Sequence, residues 1–486
     1  MGDYETVIGL EAHVQLGTAT KLFCGCRTTF GAPPNSQTCP VCLGLPGVLP
    51  VLNARAFEWG IRVAAALDCE IAPVMKFDRK QYFYPDLPKN YQISQYDQPL
   101  AQHGHLDIGA GESAKRVRIH RVHLEEDAGK LLHDTGTAES FVDFNRAGVP
   151  LLEIVSEPDL RTPDEAVAYL TALKAVLQYL GVSTCNMEEG SLRCDTNVSL
   201  RRPGAALGSK VEIKNLNSFR SVKHALEYEE RRQAALLDSG ACISQETRLW
   251  NVKSLSTESM RSKEEAADYR YFPEPDLVPF TISREAVEQA RRELPELPAQ
   301  RRARLEREFQ LSAYDAAVLT QDRALAELFE RAAAICPKPK PIANWLMGDL
   351  SAYLNAKGLA LEAVKLDPAW LGHLLQLMDE GTLSGKLAKE VFVRMLDEGK
   401  DPRTIVSEAG TRQIVDAGSL EAIADEVVQA NPKSVQDYRN GKGNALMFLV
   451  GQAMKRTRGA ANPQQMTDVL RRKLESLPSA GRQPPR

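Results

Sequence analysis

The chain has 486 residues, of which 43% are apolar, and its formal net charge is −4. This length predicts about three domains of roughly 150 residues each, and the small negative charge excludes a uniformly basic nucleic-acid-binding protein. No apolar run reaches the ~18 residues of a membrane span, and the start of the sequence lacks the basic and apolar regions of an export signal. We therefore expect a cytoplasmic protein without membrane contact.

Alternating apolar and polar residues predict half-buried strands in the N-terminal part of the chain. Residues 6–16, 192–200 and 210–214 each follow this pattern. Within residues 117–124 the apolar positions change phase, because Val117 and Ile119 are followed by Val122 and Leu124. That change predicts a β-bulge near His120 and Arg121.

Helical patterns interrupt these strands and later replace them. Thr162, Pro163 and Glu165 predict a helix with a capping box, and Gly181 is suited to its end. A second helix is predicted over residues 221–237, and from about residue 290 the sequence is helical throughout. We predict an α+β protein with a sheet domain over residues 1–292, a helical domain over 293–405, a helical tail domain over 406–478 and a disordered end over 479–486.

Four of the nine cysteines form two close pairs near the N-terminus: Cys24, Cys26, Cys39 and Cys42. Two such pairs joined by a short loop suit a tetrahedral zinc ion bound by thiolates. The alternative is a set of free thiols or one oxidised pair. We favour zinc because the paired spacing, with Pro40 inside the second pair, is typical of metal sites. Four thiolates would complete the coordination shell, so the zinc would be structural.

The polar faces of the predicted strands carry groups that need partners. They are Glu11 with His13, Glu125 with Glu126 and Asp127, Asp195 with Asn197, and Lys210 with Glu212 and Lys214. Crowded carboxylates repel one another unless protons or a cation intervene, and magnesium takes such ligands together with phosphate oxygens. The alternative is the ordinary solvent-facing side of an antiparallel sheet. The sequence leaves both open, because it does not show that these strands are neighbours.

Residues 77–92 are both aromatic and basic, with three Tyr, two Phe and three Lys or Arg. Such a composition suits stacking on a base and contact with phosphates. It is equally typical of a surface loop that packs on its own rings. A similar run at residues 268–276 is predicted as a strand that ends at proline.

The sequence has no phosphate-binding P-loop and no Gly-x-Gly-x-x-Gly motif. It also shows no pattern for a serine-lysine amidase or a cysteine-histidine glutaminase. If the protein uses ATP, we expect it to do so from a sheet surface, with ammonia made elsewhere. The segment from Lys433 to Arg486 has 11 Lys and Arg against 3 Asp and Glu, a local charge of +8. This charge fits either phosphate contact or a solvated basic tail.

Several long motifs occur in a fixed order along the chain. They are residues 8–16 (IGLEAHVQL), the four cysteines, 78–89 (DRKQYFYPDLPK), 124–130 (LEEDAGK), 143–155 (DFNRAGVPLLEIV), 190–197 (GSLRCDTN), 212–218 (EIKNLNS) and 269–276 (YRYFPEPD). Together they resemble the B subunit of the bacterial heterotrimeric aspartyl/glutamyl-tRNA amidotransferase. The resemblance covers essentially the whole chain.

The resemblance implies a glutamine-synthetase-like antiparallel-sheet cradle followed by helical domains, the last of which binds tRNA. It implies ATP- and Mg²⁺-dependent phosphorylation of the side-chain carboxylate of misacylated Glu-tRNA or Asp-tRNA, followed by amidation. The ammonia would come from glutamine hydrolysed by an amidase A subunit, and a small C subunit would complete the complex. An alternative of a different class is a non-catalytic tRNA-binding scaffold.

The resemblance also implies roles for individual residues. Catalysis is implied for Glu11, His13, Glu125, Glu212 and Lys214, and magnesium binding for Glu11, His13, Glu125, Glu126, Glu189 and Glu212. Contact with the nucleotide or the tRNA acceptor end is implied for Lys80, Tyr82, Tyr84, Lys89, Asp195 and Asn197. Contact between the tail and tRNA is expected for Lys433, Arg439, Lys442, Lys455, Arg456 and Arg458.

Overall fold

The computed structural model describes residues 3–109, 114–133, 139–262, 269–409, 417–442, 444–457, 461 and 463–476. Within these residues the chain divides into two compact units. One lies within Met1–Arg304 together with Thr320–Arg323, and the other within Leu305–Leu319 together with Ala324–Arg486. In the described part, no helix combines the length and the hydrophobicity that crossing a membrane requires. The predicted disordered end lies outside the described residues.

The first unit contains the strands. They are β1 (Glu5–Gln15), β2 (Glu70–Ile71), β3 (Val74–Met75), β4 (Asp78–Gln81), β5 (Tyr91–Ser94), β6 (Ala101–Ile108), β7 (Lys115–Glu126), β8 (Lys130–His133), β9 (Ser140–Asp143), β10 (Pro150–Ser156), β11 (Leu192–Arg201), β12 (Val211–Lys214), β13 (Glu246–Asn251), β14 (Ser256–Ser262), β15 (Arg270–Pro273) and β16 (Phe280–Thr281).

Nine of these strands form one large sheet in the order β14-β13-β12-β11-β1-β10-β7-β6-β2. All neighbours run antiparallel except β12 and β13, which are parallel. The predicted antiparallel sheet is therefore mixed at this one pair. A second sheet has the order β15-β4-β5, and two strand pairs, β16-β3 and β8-β9, stand apart from both.

The helices follow in chain order. They are α1 (Ala54–Ala66), α2 (Pro163–Tyr179), α3 (Phe219–Asp238), α4 (Arg284–Arg292), α5 (Pro298–Phe309), α6 (Ala313–Leu319), α7 (Arg323–Ile335), α8 (Pro339–Trp345), α9 (Ser351–Lys357), α10 (Pro368–Asp379), α11 (Gly385–Glu398), α12 (Pro402–Ala409), α13 (Ala417–Ala430), α14 (Pro432–Arg439), α15 (Asn444–Arg456) and α16 (Pro463–Ser476). A π-helical turn, Leu346–Leu350, joins α8 to α9, and a 3-10 turn covers Leu361–Ala363.

The large sheet buries one face and leaves the other polar, as the alternation in the sequence predicts. On β1, the side chains of Ile8, Leu10, Ala12 and Val14 are almost fully buried. They share one hydrophobic core with residues of α1, α2 and α3. Packing helices on this face leaves Glu11 and His13 on the opposite one, so the polar residues of the central strands are collected on a single surface.

The predicted β-bulge is confirmed. Val155 of β10 pairs with Arg121 of β7, whereas the next residue, Ser156, pairs with Ile119. His120 is therefore left out of this strand pairing. Because the bulge changes the phase of the strand, Val122 and Leu124 stay on the apolar face. Arg121, His123 and Glu125 consequently lie on the polar face.

The predicted helix ends near Thr162 and Gly181 are also confirmed. The Thr162 hydroxyl accepts a hydrogen bond from the backbone N–H of Glu165 at 3.1 Å. The Glu165 carboxylate accepts from the backbone N–H of Arg161 instead of that of Thr162. Gly181 has a φ of +67°, a left-handed conformation that favours glycine at the end of a helix.

The aromatic and basic segment forms a hairpin whose strands are β4 and β5. Its two strands were hidden in the sequence because both of their faces carry polar or aromatic residues. β15 adds a third strand and ends at Pro273, as predicted. The side chain of Ser94 on β5 reaches Glu125 on β7, so one face of this small sheet packs against the polar face of the large one.

The second unit is helical and contains two separate hydrophobic clusters. The first cluster draws on residues 305–406 and includes Phe329, Trp345 and Phe392. The second draws on residues 420–474 and includes Leu449 and Leu470. Each cluster packs the apolar sides of several short amphipathic helices. The exact domain boundaries stay a prediction.

Candidate active site and metal centre

Strand pairing places the polar side chains in rows across the sheet. Glu153 of β10 pairs with His13 of β1 on one side and with His123 of β7 on the other. Leu151, two residues earlier on β10, pairs with Glu125 of β7. All of these positions lie on the polar face. Four ionisable side chains from three adjacent strands thus converge; we call His13, His123, Glu125 and Glu153 the acidic centre.

Short contacts hold the acidic centre together. His123 Nε2 lies 2.6 Å from a Glu153 oxygen and 3.3 Å from a Glu125 oxygen. His13 Nε2 lies 3.6 Å from Glu153 and 3.9 Å from Glu125. Ser94 donates its hydroxyl hydrogen to Glu125 at 2.8 Å. His123 and Glu125 are almost fully buried and Glu153 nearly so, which makes every unpaired charge here costly.

The electrostatics of the acidic centre favour bound positive charge. Burial raises the pKa of Glu153, but His123 and His13 outweigh burial and hold this pKa well below its usual value. Burial lowers the pKa of His123, yet Glu153 and Glu125 together raise it to about 9. The pKa of His13 is also raised, because the same two carboxylates offset its burial. These directions reflect mutual attraction between the two imidazoles and the two carboxylates.

A divalent cation fits the acidic centre. His13, Glu125 and Glu153 each offer one ligand atom, and these atoms lie within 4.8 Å of one another. Two carboxylate oxygens match the oxygen preference of Mg²⁺, and an added imidazole nitrogen also suits softer ions such as Mn²⁺. A bound cation would neutralise the charge of the two carboxylates.

The other residues expected at a magnesium site lie elsewhere. Glu11 accepts a hydrogen bond from Asn197 at 2.8 Å, and Glu212 contacts Lys214 at 3.1 Å. Glu126 forms an ion pair with Lys89 and accepts from the backbone N–H of Ile93. Glu189 is exposed in the turn before β11. Of the six expected ligands, the structure groups His13 and Glu125 and adds Glu153 to them.

A second polar group lies beside the acidic centre on the same face. Lys214 Nζ is 2.6 Å from Asp195, which pairs across the strands with Glu11. Burial lowers the pKa of Lys214, but Asp195 and Glu212 outweigh burial and raise it. A cavity of about 360 Å³ opens here and is lined by Glu11, Asn197 and Lys210 among others. This volume is within the range of small-molecule sites, ~300–1,000 Å³.

Asp127 has the partners of a structural residue. It accepts two hydrogen bonds from Arg193, at 2.9 and 3.0 Å, and one from Gln15 at 2.7 Å. Burial raises the pKa of Asp127, but the guanidinium groups of Arg193 and Arg146 outweigh burial and lower it. The carboxylate is saturated by these donors, so it braces the end of β7.

The small sheet presents aromatic and basic side chains to the acidic centre. Lys80 Nζ lies 4.9 Å from the centre of the Tyr269 ring and 5.8 Å from that of Tyr82. Burial lowers the pKa of Lys80, but the charges of Glu125 and Glu153 help to raise it. Tyr84 is exposed in the connection between β4 and β5. Lys80 and Tyr82 therefore line the centre, whereas Tyr84 faces solvent.

Sequence reasoning missed Glu153, His123 and Ser94. A signal for Glu153 was present, because it is the single charged residue in the otherwise apolar run of β10. A lone carboxylate in a central strand needs a partner. His123 and Ser94 offered no comparable signal, since their role depends on which strands are neighbours.

The four cysteines converge as predicted. Their sulfur atoms all lie within 4.8 Å of one another, which fits a single metal ion bound by four thiolates. A hydrogen bond from Cys24 lowers the pKa of Cys42 to about 4, whereas burial raises the pKa of Cys26 to about 11. The close approach of the four sulfurs fits a bound metal, whose positive charge would favour ionisation of all four thiols.

A buried lysine lies against this cysteine group. Lys21 is 1% exposed, and its Nζ lies 3.5 Å from Cys42 Sγ and donates to the Phe144 carbonyl at 3.2 Å. Gly148, with a φ of +86°, closes the space beside Lys21 and Cys42. The ammonium places one positive charge next to Cys42, whose sulfur is one of the four candidate metal ligands.

The basic residues of the tail lie on its surface. Lys433, Lys442, Lys455 and Arg456 are exposed on or beside α14 and α15. Lys442 contacts Asp437 at 2.9 Å, and Arg456 contacts Glu426 at 2.6 Å. Arg439 is partly buried, and Arg458 lies outside the described residues. Exposed ion pairs of this kind contribute little to stability.

Comparison with known proteins gives a consistent result along the chain. Residues 6–288 match the family described as the GatB/GatE catalytic domain, and residues 327–474 match the GatB domain family. Relatives named as the B subunit of aspartyl/glutamyl-tRNA(Asn/Gln) amidotransferase are 56% identical in Carboxydothermus hydrogenoformans and 55% in Moorella thermoacetica. The first alignment covers 98% of this chain and the second 97%, and both cover the full relative. A relative of the same name in Thermosynechococcus vestitus is 53% identical over 97% of this chain and 96% of its own length.

Proposed function

Because the chain belongs to the family of aspartyl/glutamyl-tRNA(Asn/Gln) amidotransferase B subunits, we propose that it activates misacylated Glu-tRNA(Gln), Asp-tRNA(Asn) or both for amidation. The enzyme is a carbon–nitrogen ligase that uses glutamine as amide donor, and this chain is one of its subunits. The observation that carries the proposal is the acidic centre, a buried set of metal-ligand atoms on the polar face of the large sheet.

The proposed reaction has two steps. An oxygen of the substrate's side-chain carboxylate attacks the γ-phosphorus of ATP, so that the bond to the β-γ bridging oxygen breaks and ADP leaves. Ammonia then attacks the carbonyl carbon of the resulting acyl phosphate, and inorganic phosphate and a proton are released as the amide forms. Such phosphoryl transfer depends chiefly on positioning and on neutralising charge.

The residues of the acidic centre have distinct proposed roles. His13, Glu125 and Glu153 would hold a divalent cation, proposed to be Mg²⁺, which when bound neutralises phosphate oxygens. His123 and Ser94 orient the two carboxylates through their hydrogen bonds. Lys80 adds a positive charge opposite the centre.

The neighbouring polar group is proposed to bind the nucleotide or the acceptor end of the tRNA. Glu11 and Asn197 line the cavity of about 360 Å³, and Lys210 supplies a cation there. Asp195, Glu212 and Lys214 adjoin these residues, and Lys214 adds a second cation. Tyr82, which lines the acidic centre, and the exposed Tyr84 would supply aromatic surface for stacking on a base. In this proposal Lys89 acts indirectly, because its ammonium is engaged with Glu126.

The remaining parts of the chain have supporting roles in the proposal. An amidase A subunit would supply ammonia and a small C subunit would complete the complex in the cytoplasm. The domain over residues 406–478 would bind tRNA through its exposed cations. The four cysteines would hold a structural zinc that fixes the loop after β1.

A non-catalytic tRNA-binding scaffold is the competing function. A surface for RNA needs positive charge, because phosphates are repelled by carboxylates. The acidic centre instead buries two carboxylates beside two histidines. This arrangement has a chemical use when a cation and a phosphoryl group are present, and a scaffold has no need of it.

The test is an assay of the purified complex, obtained by co-expression with the amidase-like chain. With ATP, ammonium chloride and Glu-tRNA, we expect ATP consumption to match amide formation. Glu125→Gln should lower both on the order of 100-fold to 1,000-fold, because a preorganised charge is lost. The control is Glu58→Gln, an exposed residue of α1 paired with Arg55.

Either of two results would reject the proposal. One is normal amidation by Glu125→Gln. The other is amide formation by the amidase-like chain alone, at the rate of the complex, which would leave only a scaffold role for this chain.

A further inference from the structure

Arg121 stands out among the cations that surround the acidic centre. Its Nε is buried and, among the described residues, has no hydrogen-bond partner. Within the same residues, its guanidinium forms no ion pair. A buried polar group without a partner costs on the order of 1–3 kcal/mol, and more when it is charged. Such a group therefore indicates either strain or a ligand.

The bulge at His120 sets the direction of Arg121. Ile119 belongs to the apolar core, and a regular strand would place Arg121 on the same side as Ile119. Skipping His120 moves Arg121 to the polar face, two residues from His123 and four from Glu125. Arg121 pairs with Val155, which in turn pairs with Glu11, so it lies in the row next to the acidic centre.

An aromatic pair, Tyr271 of the small sheet and Tyr96, lies within electrostatic range of Arg121. Tyr271 stacks on Tyr96 with ring centres 4.3 Å apart and planes 14° from parallel. Burial raises the pKa of Tyr271, and the charges of Lys80, Glu125, Glu153 and Arg121 all act on its phenol. These charges agree with the strand pairing, which puts Arg121 in the row next to the acidic centre.

Several other basic residues near the acidic centre already have anionic partners, whereas Lys210 lies farther away, in the lining of the cavity. Arg193 is bound to Asp127, Lys89 to Glu126, and Lys214 to Asp195 and Glu212. On β7 itself, Arg116 is bound to Asp107 and Arg118 to Asp159. Within the described part of the face, Lys80 and Arg121 are the cations beside the centre that lack an ion pair.

We propose that Arg121 binds the phosphoryl group that is transferred from ATP. This inference rests on the proposed function and adds a residue that neither the motifs nor the cation site identifies. A guanidinium presents two parallel N–H donors that match two oxygens of a phosphoryl group, and it stays charged at any physiological pH. The phosphoryl group would satisfy the buried donor and balance the positive charge.

The alternative for Arg121 is a purely structural role near the two tyrosines. The two roles differ in what they do to nucleotides of different length. A structural residue affects ATP and ADP alike, whereas a contact with the transferred phosphoryl group affects only the triphosphate.

The experiment measures nucleotide binding to the purified complex by calorimetry with Mg²⁺ present. The probes are ADP and the non-hydrolysable analogue AMP-PNP. For Arg121→Gln we expect AMP-PNP to bind about 10-fold to 100-fold more weakly, the range for a lost charge-assisted hydrogen bond. ADP should bind within about threefold of the unchanged protein, a limit set by ordinary additivity between sites not in contact.

Two further variants complete the design. Arg116→Gln removes the same charge from the same strand and face, but at an exposed and already paired position, so both nucleotides should bind normally. Arg121→Lys keeps the charge and loses the paired donors, so its AMP-PNP affinity should fall between the other two. If Arg121→Gln does not fold, as judged by thermal unfolding, the lysine variant carries the comparison.

The proposal fails if Arg121 variants bind AMP-PNP normally, if AMP-PNP and ADP weaken equally, or if only the KM for aminoacyl-tRNA rises. The proposed function fails separately, if the unchanged complex neither binds AMP-PNP nor consumes ATP. In that case the Arg121 contact has no ligand and is also rejected.

Discussion

The two units of this protein differ in where their charged side chains lie. The sheet unit buries His123, Glu125, Glu126, Asp127 and Glu153 close together. In the described part of the helical unit, Asp315 is the one buried carboxylate, and most basic residues of the tail, such as Lys433 and Lys455, are exposed. Burying a charge is costly unless a partner is fixed nearby, and a rigid sheet supplies fixed partners. The difference indicates chemistry in the first unit and recognition by surface charge in the second.

The largest expected effect comes from Glu153, the carboxylate shared by both histidines. Glu153→Gln should lower amidation on the order of 100-fold to 1,000-fold, because it removes a metal ligand and leaves His13 and His123 short of negative charge. Steady-state assay of the complex measures this. Glu157→Gln, just beyond the end of β10, changes a partly exposed carboxylate and should leave the rate unchanged. If Glu153→Gln amidated within twofold of the normal rate, the buried carboxylates of the sheet unit would not be the site of chemistry.

The tail should respond differently, with an effect on binding instead of on the chemical step. Replacing Lys433, Lys442 and Lys455 by Gln should raise the KM for tRNA by about 10-fold and reduce the slope of log affinity against log salt by about 2. The kcat should not change. Replacing Lys365, Lys386 and Lys389 in the same unit is the matched control. An equal effect of both sets would show that net charge, not the tail, attracts tRNA.

Lys21 tests whether a buried charge in the sheet unit also supports the cysteine group. Lys21→Met should retain the metal about 10-fold less well in a chelator competition, because the thiolates lose a neighbouring positive charge. Metal analysis after dialysis, with thiol titration, gives the result without any activity assay. Lys253→Met, in the exposed turn between β13 and β14, should behave like the unchanged protein. Equal metal retention by both variants would assign Lys21 to packing alone.

The smallest effect is expected at Asp315 in the helical unit. Burial raises the pKa of Asp315, but the hydrogen bond from Lys340 helps to lower it below its usual value. A lowered folded-state pKa stabilises the protein above the unfolded pKa near 4, and this contribution is lost as the pH falls through the folded value. Asp315→Asn should therefore reduce amide protection of α6 and α8 at pH 6 by about 1 kcal/mol.

Hydrogen exchange at two pH values checks this prediction. The difference between Asp315→Asn and the unchanged chain should shrink below pH 4. Glu398→Gln, an exposed partner of Arg394, serves as control. A difference that is independent of pH would mean that Asp315 acts through packing and not through its charge.

Much of the fold could be predicted from local patterns. The apolar face of β1, the bulge at His120, the cap at Thr162 and the convergence of the four cysteines follow from spacing along the chain. The hairpin β4–β5 could not be predicted in this way, because its two faces do not differ in polarity. Polar alternation on one strand also cannot reveal which strand lies beside it.

The candidate site shows the same division. His13 and Glu125 were recognised as chemical residues, yet their separation by β10 and the contribution of Glu153 depend on strand order. Glu11 and Glu212, expected with them, lie in the neighbouring group that surrounds Lys214. The cross-strand register determines which of the two groups each carboxylate joins. Two positions along a strand move a side chain by about 7 Å, enough to move it from one group to the other.

The sequence by itself determined the α+β class, the cysteine cluster, the basic tail and the resemblance to amidotransferase B subunits. Each of these depends on the types and spacing of residues that are close together in the chain. The tertiary structure decided which carboxylates meet, which cations are already paired, and that Arg121 faces the acidic centre. These properties depend on residues far apart in the chain. They are fixed only when antiparallel pairing and a single bulge bring β1, β7 and β10 side by side.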